Sequence, residues 1–142
     1  MKSAPEILLV DDNPADATLV CEALASSSRG TRIHSVVDGE EAIAFLHRSG
    51  KHADAVCPDL VVLDLNLPRK DGRAVLAEVK SDPNLHMLPI VVFTTSNSGL
   101  DIGRSYELGA NCYVTKPGNL DEFFAAVRSI EQFWFDLASL PH

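Results

Sequence analysis

PDLVVLDLNLPRKDGRAVL, residues 58–76, is the stretch of sequence from which the fold is predicted. Its apolar run, Leu60–Leu63, has no polar position, which is typical of a parallel strand covered on both faces. Asp64 follows the run, Pro68–Gly72 has the composition of a tight loop, and Arg73–Ser81 has helical periodicity. The stretch therefore predicts a buried strand that leads through a short loop into a helix.

Strands and helices are predicted to alternate along the whole chain. Five short strands are predicted at Glu6–Val10, Arg32–Val37, Leu60–Leu63, Pro89–Phe93 and Cys112–Thr115. Helices are predicted to begin at Asn13-Pro14 and Asp38-Gly39 and to span Arg73–Ser81, Ser98–Leu108 and Asn119–Leu137. This alternation predicts an α/β fold in which five helices cover both faces of a five-stranded parallel sheet.

Of the residues, 46% are hydrophobic and 23% are charged, which is typical of a globular protein. The length predicts one domain over residues 1–142, in which residues 119–142 form an extended final helix and tail. The formal net charge is −8 and no basic run occurs, which argues against binding to nucleic acid or an anionic membrane. Ile7–Val10 is too short for a signal peptide or a membrane span, so we expect a cytoplasmic protein. The three cysteines are widely spaced and indicate neither a disulfide framework nor a zinc site.

Polar side chains stand where four of the predicted strands end. Asp11 and Asp12 follow the first strand, Asp64 the third, Thr94 the fourth and Lys116 the fifth. Each alone has an ordinary explanation as a turn, a helix cap, a strand residue or a solvated charge. A parallel sheet nevertheless brings them to one edge, where such sheets bind their ligands.

The charges of this group point to a metal ion and a phosphoryl group. The three clustered carboxylates repel one another unless a cation lies among them. Oxygen ligands with room for water suit Mg²⁺. Lys116 and Thr94 suit a tetrahedral anion, and Asp carboxylates are known nucleophiles that accept phosphoryl groups. We therefore expect one of the aspartates to be a phosphoacceptor.

Four stretches carry a resemblance to a known family: ILLVDDNPADATL (7–19), PDLVVLDLNLPRKDGRAVL (58–76), PIVVFTTS (89–96) and GANCYVTKP (109–117). Together they resemble the receiver domain of two-component response regulators. The combination is specific, because an acidic pair, an aspartate, a threonine and a Lys-Pro pair each close their own strand. The resemblance implies a flavodoxin-like, doubly wound sheet with strand order 2-1-3-4-5.

The resemblance implies roles at the metal and acceptor site. Asp64 is the expected phosphoacceptor. Mg²⁺ is expected to bind Asp12, Asp64 and the backbone carbonyl of Asn66 directly, and Asp11 through a bound water.

The same resemblance implies four further features beside the acceptor. Thr94 is expected to hydrogen-bond the phosphoryl oxygens and Lys116 to pair with them. The peptide bond before Pro117 is expected to be cis. Tyr113 matches the aromatic switch position, which turns inward when Thr94 is drawn to the phosphoryl group.

A narrower resemblance links the chain to single-domain regulators that pair with bacterial and cyanobacterial phytochromes. It rests on the extended loop Ser49–Pro58 and on DLNLPRKDGR (64–73), NCYVTKPGNL (111–120) and IEQFWFDLASLP (130–141). Two residues depart from the commoner receiver pattern. Gly118 replaces a bulky residue, which is expected to displace the start of the last helix, and Thr95 replaces a small one, which is expected to narrow access to Asp64.

The function implied is that of a phosphorylation-dependent response regulator. It would accept a phosphoryl group from a sensor histidine kinase, with a phytochrome as the candidate, and signal to an unidentified downstream protein through changed contacts. It would promote only its own phosphorylation and dephosphorylation and not act as a metabolic enzyme.

Three other functions are weighed against this one. A small-molecule phosphatase with an aspartyl-phosphate intermediate needs a second aspartate where the chain has Asn66. A flavodoxin-like electron carrier needs a phosphate-binding loop after the first strand, and the carboxylates there would repel the flavin phosphate. A receiver that works without phosphate would not need the complete acceptor site.

The last helix carries more apolar residues than one packing face requires. Its predicted core stripe consists of Leu120, Phe124, Val127 and Trp134. Outside the stripe lie Ile130, Phe133, Phe135 and Leu137. Either these residues widen the core or they form an exposed apolar interface. We expect an interface that joins two copies of the chain into a homodimer.

Overall fold

The computed structural model describes residues 4–141. Their strands form one parallel sheet in the order β2-β1-β3-β4-β5. The strands are β1 (Glu6–Val10), β2 (Arg32–Val36), β3 (Leu60–Leu63), β4 (Ile90–Thr94) and β5 (Cys112–Thr115). The predicted fold class and strand order are confirmed.

Helices follow each strand: α1 (Pro14–Ala25), α2 (Gly39–Leu46), α3 (Gly72–Ser81), α4 (Gly99–Glu107) and α5 (Leu120–Gln132). Before each helix, a side-chain oxygen accepts a hydrogen bond from a backbone N–H of the first turn, which no helix carbonyl can reach. These capping residues are Asn13, Asp38, Asp71, Ser98 and Asn119. A 3-10 turn (Gly50–His52) lies in the loop before β3, and a π-helical turn (Phe133–Leu137) follows α5.

The sheet separates two apolar clusters. Helices α2 and α3 cover one face, where they pack on side chains such as Leu8 and Val61. Helices α1 and α5 cover the other face, where they pack on Ile7, Val62 and Phe93. Because neighbouring residues of a strand point to opposite faces, the central strands are buried along almost their whole length. No helix within residues 4–141 is long and apolar enough to cross a membrane.

Two strand boundaries differ slightly from the prediction. β2 ends at Val36, and the next residue, Val37, is 54% exposed. β4 begins after Pro89, which has no N–H to donate to a neighbouring strand, and extends to Thr94, which pairs with Thr115 of β5.

The buried face of α5 differs in part from the predicted stripe, of which Phe124, Val127 and Trp134 pack against the core as predicted. Phe123, Val127 and Ile130 are buried against the sheet at spacings of four and three residues, whereas Leu120, the first residue of the helix, is 54% exposed. Ile130 is therefore a core residue, and its predicted place in an exposed interface is wrong. The helix also ends at Gln132 and does not continue to 137, because the chain widens into the π-helical turn.

A buried carboxylate holds this last turn against the start of β2. Glu131 is 1% exposed and accepts hydrogen bonds from Ser27 Oγ at 3.0 Å, Thr31 Oγ1 at 2.6 Å and Arg29 Nη1 at 2.9 Å. Arg29 also donates through Nε to Asp136 Oδ1 at 2.9 Å. The guanidinium thus ties the end of α5 and the π-helical turn to the loop between α1 and β2.

Candidate functional site

Register places two of the predicted aspartates level with each other at the carboxyl edge of the sheet. Val10 of β1 pairs with Leu63 of β3, so the next residues, Asp11 and Asp64, leave the sheet side by side. The backbone N–H of Asp64 donates to the Val10 carbonyl at 2.9 Å, which continues the strand ladder by one residue. The positions of both carboxylates are therefore fixed by strand pairing.

Three carboxylates meet in this place. Asp11, Asp12 and Asp64 offer oxygens that all lie within 4.8 Å of one another. Asp11 and Asp64 are buried, while Asp12 is exposed. Hard oxygen ligands with one side open to solvent fit a hydrated divalent cation, which would also relieve the repulsion among the three charges. The site predicted from the sequence to hold a metal ion is therefore brought together by the fold.

Lys116 enters the same group from β5. Its backbone N–H donates to the Thr94 carbonyl at 2.6 Å, and its side chain is only 3% exposed. The ammonium donates to Asp11 Oδ2 at 2.8 Å, to Asp64 Oδ2 at 2.9 Å and to Asp16 Oδ2 at 2.8 Å. Because an ammonium has three N–H donors, each of them is occupied by a carboxylate.

Asp16 is the site residue that sequence reasoning missed. It lies in the first turn of α1, and its backbone N–H donates to the capping side chain of Asn13 at 3.1 Å. An acidic residue there is normally explained by the helix dipole alone. The sequence therefore held no signal that this carboxylate turns toward Lys116.

Burial and hydrogen bonding shift the pKa values of Lys116 and Asp11 in opposite directions. Burial alone would lower the pKa of Lys116, but its hydrogen bonds to Asp11, Asp16 and Asp64 outweigh this and raise the pKa. Burial raises the pKa of the Asp11 carboxyl, although the hydrogen bond from Lys116 works against that shift. The ammonium therefore stays charged across the physiological range.

Thr94 offers a hydroxyl without a hydrogen-bond partner. Its side chain is fully buried, and within residues 4–141 nothing pairs with Oγ1. A buried polar group left unpaired costs about 1–3 kcal/mol. A phosphoryl oxygen at this edge of the sheet would supply the missing acceptor.

The loop after β3 folds back closely on Asp64. Asn66 is exposed, and its backbone N–H points to Asp64 Oδ1 at 3.4 Å. Gly72 donates its N–H to the Leu65 carbonyl, and a Cβ on Gly72 would lie 2.2 Å from the Asp64 carbonyl oxygen. Only glycine allows this approach, which keeps Asn66 beside Asp64.

The structure also places the predicted switch and loop residues. Tyr113 is partly buried, and its hydroxyl donates to the Ser96 carbonyl at 2.8 Å. Thr95 is exposed, and a Cβ on Gly118 would have no neighbour within 4 Å.

The expected cis bond before Pro117 is wrong, because the described residues contain no cis peptide bond. The trans form is the one that an X–Pro amide favours, by about 0.5–1 kcal/mol. Lys116 reaches its three carboxylates with this bond trans.

Comparison with known proteins identifies the family of the chain. Residues 7–128 match the family model of the response regulator receiver domain. The chain is 47% identical over 135 residues to response regulator Rcp1 of Synechocystis sp., with 95% of this chain and 92% of that protein covered.

Two solved structures are similar over almost the whole chain. The phosphorylated cyanobacterial phytochrome response regulator RcpA superposes with a TM-score of 0.95 at 51% identity, covering 99% of this chain and all of that one. The Mn²⁺-bound form of Rcp1 superposes with a TM-score of 0.93 at 46% identity, covering 97% of this chain and 99% of that one. The chain belongs to the family of response regulator receiver domains, and its function is that of a phosphorylation-dependent response regulator.

Proposed function

We propose that Asp64 is the phosphoacceptor of this regulator and that Mg²⁺ is its metal ion. The observation that carries the proposal is the position of Asp64, which shares one pocket with two further carboxylates and contacts the buried ammonium of Lys116 at 2.9 Å. Asp12, Asp64 and the carbonyl of Asn66 would bind the ion directly, and Asp11 would bind it through a water. The metal would neutralise charge on the transferred group.

The transfer itself needs little covalent chemistry from the protein. A carboxylate oxygen of Asp64 attacks the phosphorus of a phosphohistidine on the sensor kinase. The P–N bond breaks, and its electron pair remains on the imidazole nitrogen. Lys116 and the unpartnered hydroxyl of Thr94 would bind the phosphoryl oxygens, so that the site acts by position and charge.

Tyr113 is the proposed output of the switch. Its hydroxyl is bound to the carbonyl of Ser96, two residues after Thr94. Movement of Thr94 toward a phosphoryl oxygen would carry this part of the chain with it. Tyr113 would then exchange its present hydrogen bond for a more buried position, which changes the surface offered to a downstream protein.

A phytochrome-type sensor histidine kinase is the proposed partner. The support is similarity alone: RcpA is described as a cyanobacterial phytochrome response regulator, and it shares 51% of its sequence with this chain. A phosphatase of small molecules is not supported, since the amide of Asn66 cannot serve as the general acid that such an enzyme needs.

The proposed homodimer rests on the exposed apolar side chains after α5. Phe133 is 49% exposed and Leu137 is 77% exposed, while Phe135 is partly buried against the core. The link between Arg29 and Asp136 holds the π-helical turn in place, so these side chains are presented on an ordered surface. A second copy of the chain would cover them.

Asp64→Asn should abolish phosphorylation. Incubation of the native chain with acetyl phosphate and Mg²⁺ should add one acid-stable, base-labile phosphoryl group, measured by intact mass. The asparagine amide is not a nucleophile for phosphorus, so no label should form. Asp54→Asn, which changes an exposed aspartate of the loop before β3, should be labelled like the native chain. Labelling that survives in Asp64→Asn would place the acceptor elsewhere.

Asp12→Ala should remove most of the stabilisation by Mg²⁺. A ligand that binds only the folded state at about 100 times its Kd adds about 2.7 kcal/mol, so Mg²⁺ should raise the unfolding temperature of the native chain. Loss of one of three repelling carboxylates should leave the metal-free variant at least as stable as the native chain. Thermal unfolding with and without Mg²⁺ measures both effects, with Asp54→Ala as the control. An undiminished Mg²⁺ shift in Asp12→Ala would contradict the proposed ligand set.

Phe133→Asp should convert a dimer into a folded monomer. Loss of a central interface side chain costs about 1–4 kcal/mol of association, and two like charges near a two-fold axis oppose it further. Met87→Asp is a matched control, because Met87 is 60% exposed in the loop before β4. Sedimentation should show dimers for the native chain and the control only. A native chain that is monomeric at tens of micromolar, phosphorylated or not, would rule the homodimer out.

A further inference from the structure

Asp16 has no part in the acceptor and metal roles described above, yet it contacts the central cation of the site. Its Oδ2 lies 2.8 Å from Lys116 Nζ, as close as the carboxylate of Asp11. The other two partners of Lys116 are fixed at the ends of β1 and β3, whereas Asp16 comes from α1. It therefore adds a negative charge that the strand ends do not supply.

Lys116 does not need Asp16 in order to be held. The lysine side chain is 3% exposed and is already bonded to two buried carboxylates. Asp16 is 22% exposed at the side chain, so it occupies the solvent side of the ammonium. Its contact uses the third and last N–H of the lysine.

Phosphorylation of Asp64 changes the groups that Lys116 can bind. Formation of the acyl phosphate removes the negative charge of the Asp64 carboxylate and brings a phosphoryl group with charged oxygens to the same place. The ammonium must then turn its donors toward those oxygens. Asp16 competes for one donor, and its own negative charge repels the incoming phosphoryl group.

We propose that Asp16 is a positioning residue that restrains Lys116 in the unphosphorylated protein and so slows phosphorylation of Asp64. The inference rests on the proposed role of Asp64 as acceptor. Removal of the Asp16 charge weakens the hydrogen bond that holds one N–H of the lysine, so that this N–H turns more easily to the phosphoryl group, and it lowers the repulsion that a phosphodonor meets. The buried contacts with Asp11 and Asp64 keep the lysine in its place.

The kinetic test compares Asp16→Asn with Glu22→Gln. Both variants remove one negative charge from α1, but Glu22 is exposed and lies about 9 Å farther along the helix axis. With saturating Mg²⁺ and acetyl phosphate, Asp16→Asn should be labelled about three- to tenfold faster than the native chain, the rate equivalent of one hydrogen bond. Glu22→Gln should be labelled at the native rate. Equal rates in the two variants, or slower labelling of Asp16→Asn, would overturn the proposal.

A second measurement follows the lysine without any phosphorylation. In ¹⁵N-labelled protein without metal, the Lys116 ammonium signal should shift in Asp16→Asn and Asp16→Ala, and its protons should exchange faster with water. Glu22→Gln should leave the signal unchanged. An unchanged signal in both Asp16 variants would show that the contact does not restrain the lysine. Absence of any label on the native chain would instead refute the acceptor role of Asp64, while the lysine signal would still report on Asp16.

Discussion

The ammonium of Lys116, buried among three carboxylates, is the interaction on which the site depends. Strand pairing forces Asp11 and Asp64 to leave the sheet side by side, and both are buried there. Two buried like charges oppose folding unless a cation compensates them. Lys116 supplies that cation from β5, so a single side chain joins the ends of β1, β3 and β5 to the start of α1.

The carboxyl edge of the sheet could be predicted because short apolar runs fix where strands end, and because parallel strands end at one edge. This placed Asp11, Asp64, Thr94 and Lys116 correctly. The contact of Asp16 could not be predicted, since it depends on how α1 packs against the strand ends. The face of α5 was partly misjudged because Phe123 and Phe124 are both apolar, and only packing decides which of them is buried more deeply.

Because sequence periodicity does not show how side chains pack, the geometry of the chain after α5 was not predicted either. A helical wheel assumes about 100° per residue throughout, whereas the π-helical turn has more residues per turn and rotates its side chains relative to α5. The buried carboxylate of Glu131 and its partner Arg29 stabilise this turn through contacts more than a hundred residues apart in sequence. Such long-range polar contacts leave no periodic signal, so the change of backbone geometry after Gln132 could not be predicted.

The segment after β4 connects the carboxylate site with Tyr113, the proposed switch residue. Ser96 donates its hydroxyl to Asp101, which also accepts from Arg73 of α3 at 2.8 Å. Hydrogen bonds from Ser96 and Arg73 hold the pKa of the Asp101 carboxyl below its usual value. Tyr113 donates its hydroxyl to the carbonyl of the same Ser96, so a displacement of Thr94 would change contacts of α3, α4 and β5 together.

Thermal unfolding of Lys116→Met, with and without Mg²⁺, tests most directly whether the ammonium compensates the buried carboxylates and so stabilises the folded chain. Methionine is unbranched and nearly as long as lysine but leaves the buried carboxylates uncompensated, and removal of one partner of a buried ion pair costs about 3–5 kcal/mol. The metal-free variant should unfold well below the native chain. Mg²⁺ should raise its unfolding temperature by more than it raises that of the native chain, because the ion takes over part of the lost compensation. A metal-free variant as stable as the native chain would contradict the account.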